Sequence, residues 1–242
     1  MQTWEQDLLQ EVYFIQPEDL VWERLQHIQC CAASDGSAPR DQGSFGWIIS
    51  DNEGNRLVRG RGPAFGHAIS SYRAEAYGML SLLRFLVSMR DIHGRGTQPR
   101  AMALVCDNQG LVKTVTKMRQ HSTIFPNTTM EPEWDIIAQI LEALKSLGNS
   151  APIIEHIKGH QDADTPYEQL NLPAQLNCDA DAQASAYLRE NPALDYTVSH
   201  VFPAGECSLQ LRHGTVTRDI KHECAAARTL PPLRIKITQN SD

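Results

Sequence analysis

The chain is short of positive charge. Its 22 Lys and Arg stand against 29 Asp and Glu, a formal net charge of -7. A protein that grips a phosphate backbone unaided usually presents a basic face, so this balance argues against a tight, autonomous nucleic-acid binder. Two explanations stay open at this level. A carboxylate-lined metal site adds negative charge that bound cations offset, or the protein binds nucleic acid poorly on its own.

Long apolar runs are also missing, and none approaches the length of a membrane span. Met1-Gln2-Thr3-Trp4-Glu5 lacks the basic start and apolar stretch of a secretory signal. The expectation is an intracellular protein, of cytoplasm or nucleus, with no membrane partner. Cysteine is sparse: six residues, at 30, 31, 106, 178, 207 and 224, with no Cys-x-x-Cys pair and no zinc-ligand spacing. In a reducing compartment these read as free thiols, several of them inside apolar runs where cysteine packs as a small hydrophobe. There is no internal repeat and no low-complexity tract.

What is present suffices for a proper core: 242 residues, 41% hydrophobic and 21% charged. That length fits one large domain, or one ordinary domain extended at both ends. Residues 1–25 read as a helical extension, with Leu8, Leu9 and Val12 on one face and a second short helix, Glu18 to Leu25, after Pro17. An apolar run, Ile28 to Ala33, leads to Ser34-Asp35-Gly36-Ser37. Phe45 to Ser50 and Arg56 to Arg61 read as antiparallel strands around Asp51-Asn52-Glu53-Gly54-Asn55. From Ser71, helical spacing of Ala76, Met79, Leu80, Leu83, Leu86 and Val87 predicts a long helix that ends before His93-Gly94.

Ala101 to Cys106 is a buried-type strand running into Asp107-Asn108-Gln109-Gly110, followed by a helix marked by Leu111, Val112, Val115 and Met118. Pro132 opens a further helix closed by Gly148, and Ile153 to Ile157 is the last strand of the set. Asn177 reads as the cap of a final alanine-rich helix to about Leu188. Three strands followed by strand–helix alternation predict an α/β fold: a mixed sheet flanked by helices.

Taken singly, the acids have ordinary readings. Asp35 ends a strand before Gly36-Ser37, as a turn aspartate does. Asp107 ends a buried strand, where ligands of open α/β sheets gather. Glu75 lies in the first turn of the long helix, where a helix N-terminus favours it. A capping box fails there, because Tyr72 stands where Ser or Thr is required. Asp181 falls four residues after Asn177, with Asp179 competing for the same role, and His160 follows Gly159 in a loop. Together, two strand ends and two helix starts each deliver one acid. If the strands carrying Asp35 and Asp107 are adjacent and parallel, these acids converge. Clustered carboxylates repel one another unless cations sit among them, and hard oxygen donors suit magnesium or manganese better than zinc.

Asp35-Gly36-Ser37, Arg73-Ala74-Glu75-Ala76, Cys106-Asp107-Asn108, Lys158-Gly159-His160 and Asn177-Cys178-Asp179-Ala180-Asp181 resemble, in order, the motifs of ribonuclease H; Phe45-Gly46-Trp47 resembles that family's glycine-aromatic strand. The resemblance spans about residues 27 to 189 and is closer to retroelement domains, which follow a reverse transcriptase in a polyprotein, than to compact bacterial enzymes. It implies a ribonuclease H-like domain over 26–190, with a five-stranded mixed sheet, and leaves a C-terminal extension over 191–242. It implies Asp35, Glu75, Asp107 and Asp181 as ligands of Mg2+ (or Mn2+), with Asp181 favoured over Asp179. His160 matches the family's mobile histidine, which aids proton transfer or product release. The implied activity is two-metal hydrolysis of the RNA strand of an RNA/DNA hybrid. The implied partners are that hybrid and a reverse transcriptase domain of the same polyprotein.

Two departures stand out. About twenty residues, with Pro166 and Pro173 among them, separate His160 from Asp181, roughly twice the spacing of compact enzymes. The basic protrusion of some relatives is also missing, leaving only Lys113, Lys117, Arg119 and His121 as candidates between the middle helices. The main alternative is an inactive scaffold or connection module on the same fold, though no carboxylate of the set is missing. A proofreading exonuclease would want Asp-x-Glu on the first strand, and an integrase or transposase a glutamate on the last helix. In the C-terminal extension a small hairpin, Cys207 to Thr217 around His213-Gly214, and a short helix, Asp219 to Ala227, are expected; an extended tail from Leu230-Pro231-Pro232 follows.

Overall fold

A computed structural model describes residues 3–66, 69–94, 100–120, 131–196, 202, 210–211, 214–220, 222–223 and 225. The elements in chain order are α1 (Thr3–Leu8), β1 (Glu11–Phe14), α2 (Glu18–His27), β2 (Cys30–Ser37), β3 (Ser44–Asp51), β4 (Arg56–Pro63) and α3 (Ser71–His93). There follow β5 (Ala103–Cys106), α4 (Gln109–Arg119), α5 (Trp134–Leu147), β6 (Ile153–His156), α6 (Leu172–Glu190) and a hairpin of β7 (Gln210–Leu211) and β8 (Gly214–Thr215). Among the described residues no helix is long and apolar enough to cross a membrane.

The main sheet has six strands in the order β1-β4-β3-β2-β5-β6. Strands β2, β3 and β4 form an antiparallel meander, and β5 and β6 add in parallel on the far side of β2. Every residue of β3 is buried, so its side chains show no polar–apolar alternation. The cause is cover on both faces: α3, with α5 behind it, packs on one face and α6 on the other. Phe45, Trp47 and Ile49 belong to the α3-side core, while Ile48 joins Ala33, Val105, Leu176 and Ala180 beneath α6. Each buried Phe, Ile, Val or Leu among them contributes roughly 1.5–3 kcal/mol.

Three expectations change. The sheet gains a sixth strand, because Glu11–Phe14, expected as helix, pairs antiparallel with β4. Val12 therefore serves a sheet edge and shares no helical face with Leu8 and Leu9. Asp35 does not end its strand, since Gly36 and Ser37 continue to pair with Phe45 and Ser44. The last helix starts at Leu172, capped by Asn171, whose side chain accepts from the Ala174 N–H at 3.0 Å. Pro173, taken as part of a loop, sits in the first turn, where its missing N–H costs nothing. Asn177 is thus an interior helix residue and not a cap, and Asp181 lies well inside the helix.

The hairpin expected in the C-terminal extension is present in its described part, with Gln210 opposite Thr215 and Leu211 opposite Gly214. Cys207 and His213 lie outside the described residues, as does the tail from Leu230. Ile220, His222, Glu223 and Ala225 are helical, within the short helix expected there.

Candidate metal centre

The parallel pairing of β2 with β5 sets Ala33 opposite Val105. Asp35 and Asp107 each stand two residues further along, so both emerge at the same end of the sheet. Glu75 reaches them from α3 because the first turns of that helix press directly on β2. A Cβ built on Gly36 would lie 2.2 Å from the Glu75 backbone nitrogen, so only glycine lets strand and helix approach this closely. Helix α3 is capped by Ser70, whose hydroxyl accepts from the Arg73 N–H at 3.1 Å. That places Glu75 in the second turn rather than the first, away from the direct capping role.

Glu75 and Asp35 are both 5% exposed. Ligand atoms of Glu75, Cys106 and Asp107 lie within 4.8 Å of one another. The Glu75 carboxyl is hydrogen-bonded to Asp35 on one side and Asp107 on the other. Burial, then the charges of Asp35 and Asp107, push Glu75 up to about 11. Burial, then Asp107 and Asp181, push Asp35 up to about 7. In the metal-free protein a proton therefore sits on Glu75, shared along the cluster. Asp35 is held further by its own Gly36 N–H at 2.6 Å and by the Asn177 amide, which donates to Oδ2 at 3.4 Å.

Asp181 is less tightly joined. Its charge acts on Asp35, while its own described hydrogen bond is from the Ser185 hydroxyl at 3.5 Å. Asn177 and Asp181 are four residues apart on α6 and share the face turned to β2. Asp179 points elsewhere: it pairs with Arg56 at 2.8 Å and accepts from the Tyr167 hydroxyl at 2.8 Å.

His160 is exposed, in the left-handed region at φ 51°, and opens a short turn over Gln161–Ala163. Its neighbour Gly159 packs against Asp107 so tightly that a Cβ there would meet Oδ2 at 2.1 Å. The long stretch after His160 is an ordered strap. Tyr167 accepts from Arg56 and donates to Asp179, and the Gln175 amide donates to the Tyr167 and Leu170 carbonyls. Of the basic candidates, Lys113 and Lys117 are exposed on α4, and Arg119 donates to the Pro152 carbonyl at 3.0 Å. His121 lies outside the described residues.

The donor set fits a hard divalent cation. Among the described residues none of the four acids makes a salt bridge, so their negative charge has no cationic partner in the fold. A cysteine also borders the acids: the Cys106 thiol donates to Glu75 Oε2 at 3.4 Å. Burial and the adjacent Glu75 hold it well above its usual range, so it remains a neutral donor and not a soft thiolate ligand. Sequence reasoning missed this thiol and the amide of Asn177. The second was findable, since Asn177 and Asp181 share a helical face whenever the helix begins before both.

Sheet order, helix placement and the clustered acids together define a ribonuclease H-like fold. No family model and no curated protein matches the chain. Among solved structures it is similar to LC11-RNase H1 in complex with an RNA/DNA hybrid, with 15% identity over 68% of this chain and 100% of that one, and a TM-score of 0.47. It is also similar to the PFV RNase H domain in solution, with 19% identity over 66% of this chain and 93% of that one, at 0.49. A third is the protease–reverse transcriptase of prototype foamy virus, with 15% identity over 67% of this chain and 21% of that longer one, at 0.46.

Proposed function

We propose that the chain is a metal-dependent endonuclease that hydrolyses the RNA strand of RNA/DNA hybrids, of the retroelement type that works beside a reverse transcriptase domain. The observation that supports this best is the cluster of buried Asp35 and Glu75 with half-buried Asp107, with Asp181 at its edge and no cation among the described residues to offset it. A scaffold gains nothing from buried, mutually repelling carboxylates, which cost stability in the absence of metal. This disfavours the inactive-module reading.

Asp35, Glu75, Asp107 and Asp181 would hold Mg2+ or Mn2+. Divalent ions so held supply an activated water and a counter-charge for the leaving oxygen of in-line displacement at phosphorus. Binding requires Glu75 to give up its proton, so the cluster exchanges protons for cations on loading. Backbone around Gly36, Ser37 and Glu75 would contact 2′-hydroxyls of the RNA strand. Lys113 and Lys117, exposed on the helix that starts beside Asp107, are basic groups available for phosphates. Two such contacts make weak, salt-sensitive binding, in keeping with a domain that relies on a neighbour to hold substrate.

The test is cleavage of a labelled RNA/DNA hybrid with Mg2+ or Mn2+, beside single-stranded RNA and duplex DNA. Hybrid-only, metal-dependent cutting is expected; metal-independent cutting, or equal cutting of all three, would overturn the reading. In the same assay His160→Ala should slow turnover roughly tenfold without eliminating it, since general acid–base help is worth about 10²-fold or more only when the group is fixed on the reacting atoms. An unchanged rate would remove His160 from the site. Asp181→Asn should cost far more activity than Asp179→Asn, because only Asp181 acts on Asp35. Asp179→Asn should instead lower stability by about 1 kcal/mol or less, as expected for a partly exposed pair with Arg56. The reverse ranking would exchange their roles.

A further inference from the structure

We propose that the C-terminal extension is part of the candidate metal centre: Thr217, acting through Glu133 and Arg73, is a positioning residue for Glu75. The inference rests on the metal-nuclease reading above and extends it to a segment outside the motifs that resemble ribonuclease H.

Arg73 stands two residues before Glu75 on α3, and its side chain is 3% exposed. Its guanidinium is engaged at all three nitrogens. Nε donates to the Phe65 carbonyl at 2.6 Å, and Nη1 to Glu133 at 2.5 Å and to Asp135 at 3.0 Å. Nη2 completes a fork on Asp135 at 2.9 Å. The opening turns of α3 are therefore gripped from two sides. Gly36 of β2, next to Asp35, presses on the Glu75 backbone, and Arg73 ties the same turns to the start of α5. The separation of Asp35 from Glu75 depends on both grips.

The second grip depends in turn on residues beyond α6. Glu133 precedes α5 in the left-handed region, φ 57°, a conformation that persists in a glutamate only when its surroundings enforce it. Thr217 supplies that enforcement twice: its carbonyl accepts the Glu133 N–H at 2.6 Å, and its hydroxyl is hydrogen-bonded to the Glu133 carboxylate. Other parts of the extension close around the same point. The Tyr196 carbonyl accepts the Gly66 N–H at 3.1 Å, beside the Phe65 carbonyl that Arg73 uses. The Phe202 ring packs 5.6 Å from that of Tyr77, over which the Arg73 guanidinium also lies. Three separated residues of the extension thus converge on one buried arginine next to a candidate ligand.

Mn2+ binding to the 242-residue, metal-free chain, followed by titration calorimetry, tests this without relying on turnover. Outer partners of metal ligands are typically worth 10- to 100-fold in affinity. Arg73→Lys, which keeps the charge but loses the fork, should fall in that range. The more distant Thr217→Val should weaken binding about three- to tenfold, and Thr217→Ser, which keeps the hydroxyl, should bind within about twofold of the parent. Thr217 is half-buried, so its variants carry the test if Arg73→Lys does not fold. A purely structural role would lower the melting temperature of Thr217→Val and leave Mn2+ affinity unchanged, and that result overturns the proposal. Failure of Thr217→Ser to bind as the parent does would also overturn it. A parent chain that binds no Mn2+ brings down the metal-nuclease reading itself, and this inference with it.

Discussion

Asp107→Asn is expected to reduce metal-dependent hybrid cleavage by about a thousandfold or more while leaving the fold intact. Metal-based charge stabilisation is worth several kcal/mol, and each 1.36 kcal/mol is a factor of ten in rate. Asp107 is chosen over the other acids for a structural reason. It follows β5 directly and precedes Asn108, whose side chain caps α4 by accepting the Leu111 N–H at 3.0 Å. The strand and the cap hold its backbone whatever its side chain carries. Asparagine keeps the size that Gly159 packs against and removes the charge. It also relieves the repulsion that Asp107 exerts on Asp35 and Glu75, so the metal-free variant should melt no lower than the parent. Circular dichroism and thermal melting check the fold, and hybrid cleavage checks the chemistry. Activity within tenfold of the parent would remove Asp107 from the metal site.

Much of the architecture was legible in the sequence because the buried elements write their cover into their composition. The apolar stripe of α3 and the unbroken run of β3 gave element types and order, and the β2–β5 adjacency on which the acids' convergence depends is present in the sheet. The errors fall where a local signal had two meanings. Leu8, Leu9 and Val12 suit a helix, yet Glu11–Phe14 is claimed by the free edge of β4, a non-local partner that periodicity cannot reveal. Pro173 reads as a breaker or as a starter, and only the Asn171 cap decides. Asn177 reads as a cap because asparagine before an alanine-rich run usually is one. The network around Arg73 was illegible for a different reason: its partners lie sixty residues or more away in sequence, at Glu133 and Asp135, and it is locked from Thr217. Order and resemblance single out the acids and favour Asp181 over Asp179, but give no physical reason for that preference. It took Arg56 and Tyr167 on Asp179 to show why Asp181 is the freer of the two.

Metal-free protein should lose stability as pH rises from about 4 through 7, and divalent cation should restore it. Asp35 has its folded pKa pushed up to about 7 and Glu75 to about 11, by burial first and by neighbouring carboxylates second. The native state thus holds protons that the unfolded chain releases near pH 4. Wherever the native state binds more protons, stability falls with rising pH. The contribution of Asp35 is fully present below about pH 4 and lost by about pH 7; that of Glu75 continues to fall above pH 7. Asp51 works in the opposite sense, since hydrogen bonds from Asn55 and Glu53 lower its pKa, but its effect lies at the acid end of the range. Between pH 5 and 8 the cluster dominates, with a loss on the order of 2–4 kcal/mol for the Asp35 shift. Mg2+ or Mn2+ at a hundred times its dissociation constant should return about 2.7 kcal/mol and flatten the slope, because bound cation replaces the shared proton. Glu75→Gln should remove the part of the pH dependence that Glu75 carries, leave the part that burial, Asp107 and Asp181 impose on Asp35, and raise the metal-free melting temperature at pH 8, while abolishing the response to metal. Thermal melts at pH 5, 6.5 and 8, with and without Mn2+, separate the possibilities. A flat metal-free profile together with no gain from Mn2+ would mean that the carboxylates neither repel one another nor hold a cation, and the metal centre would have to be abandoned.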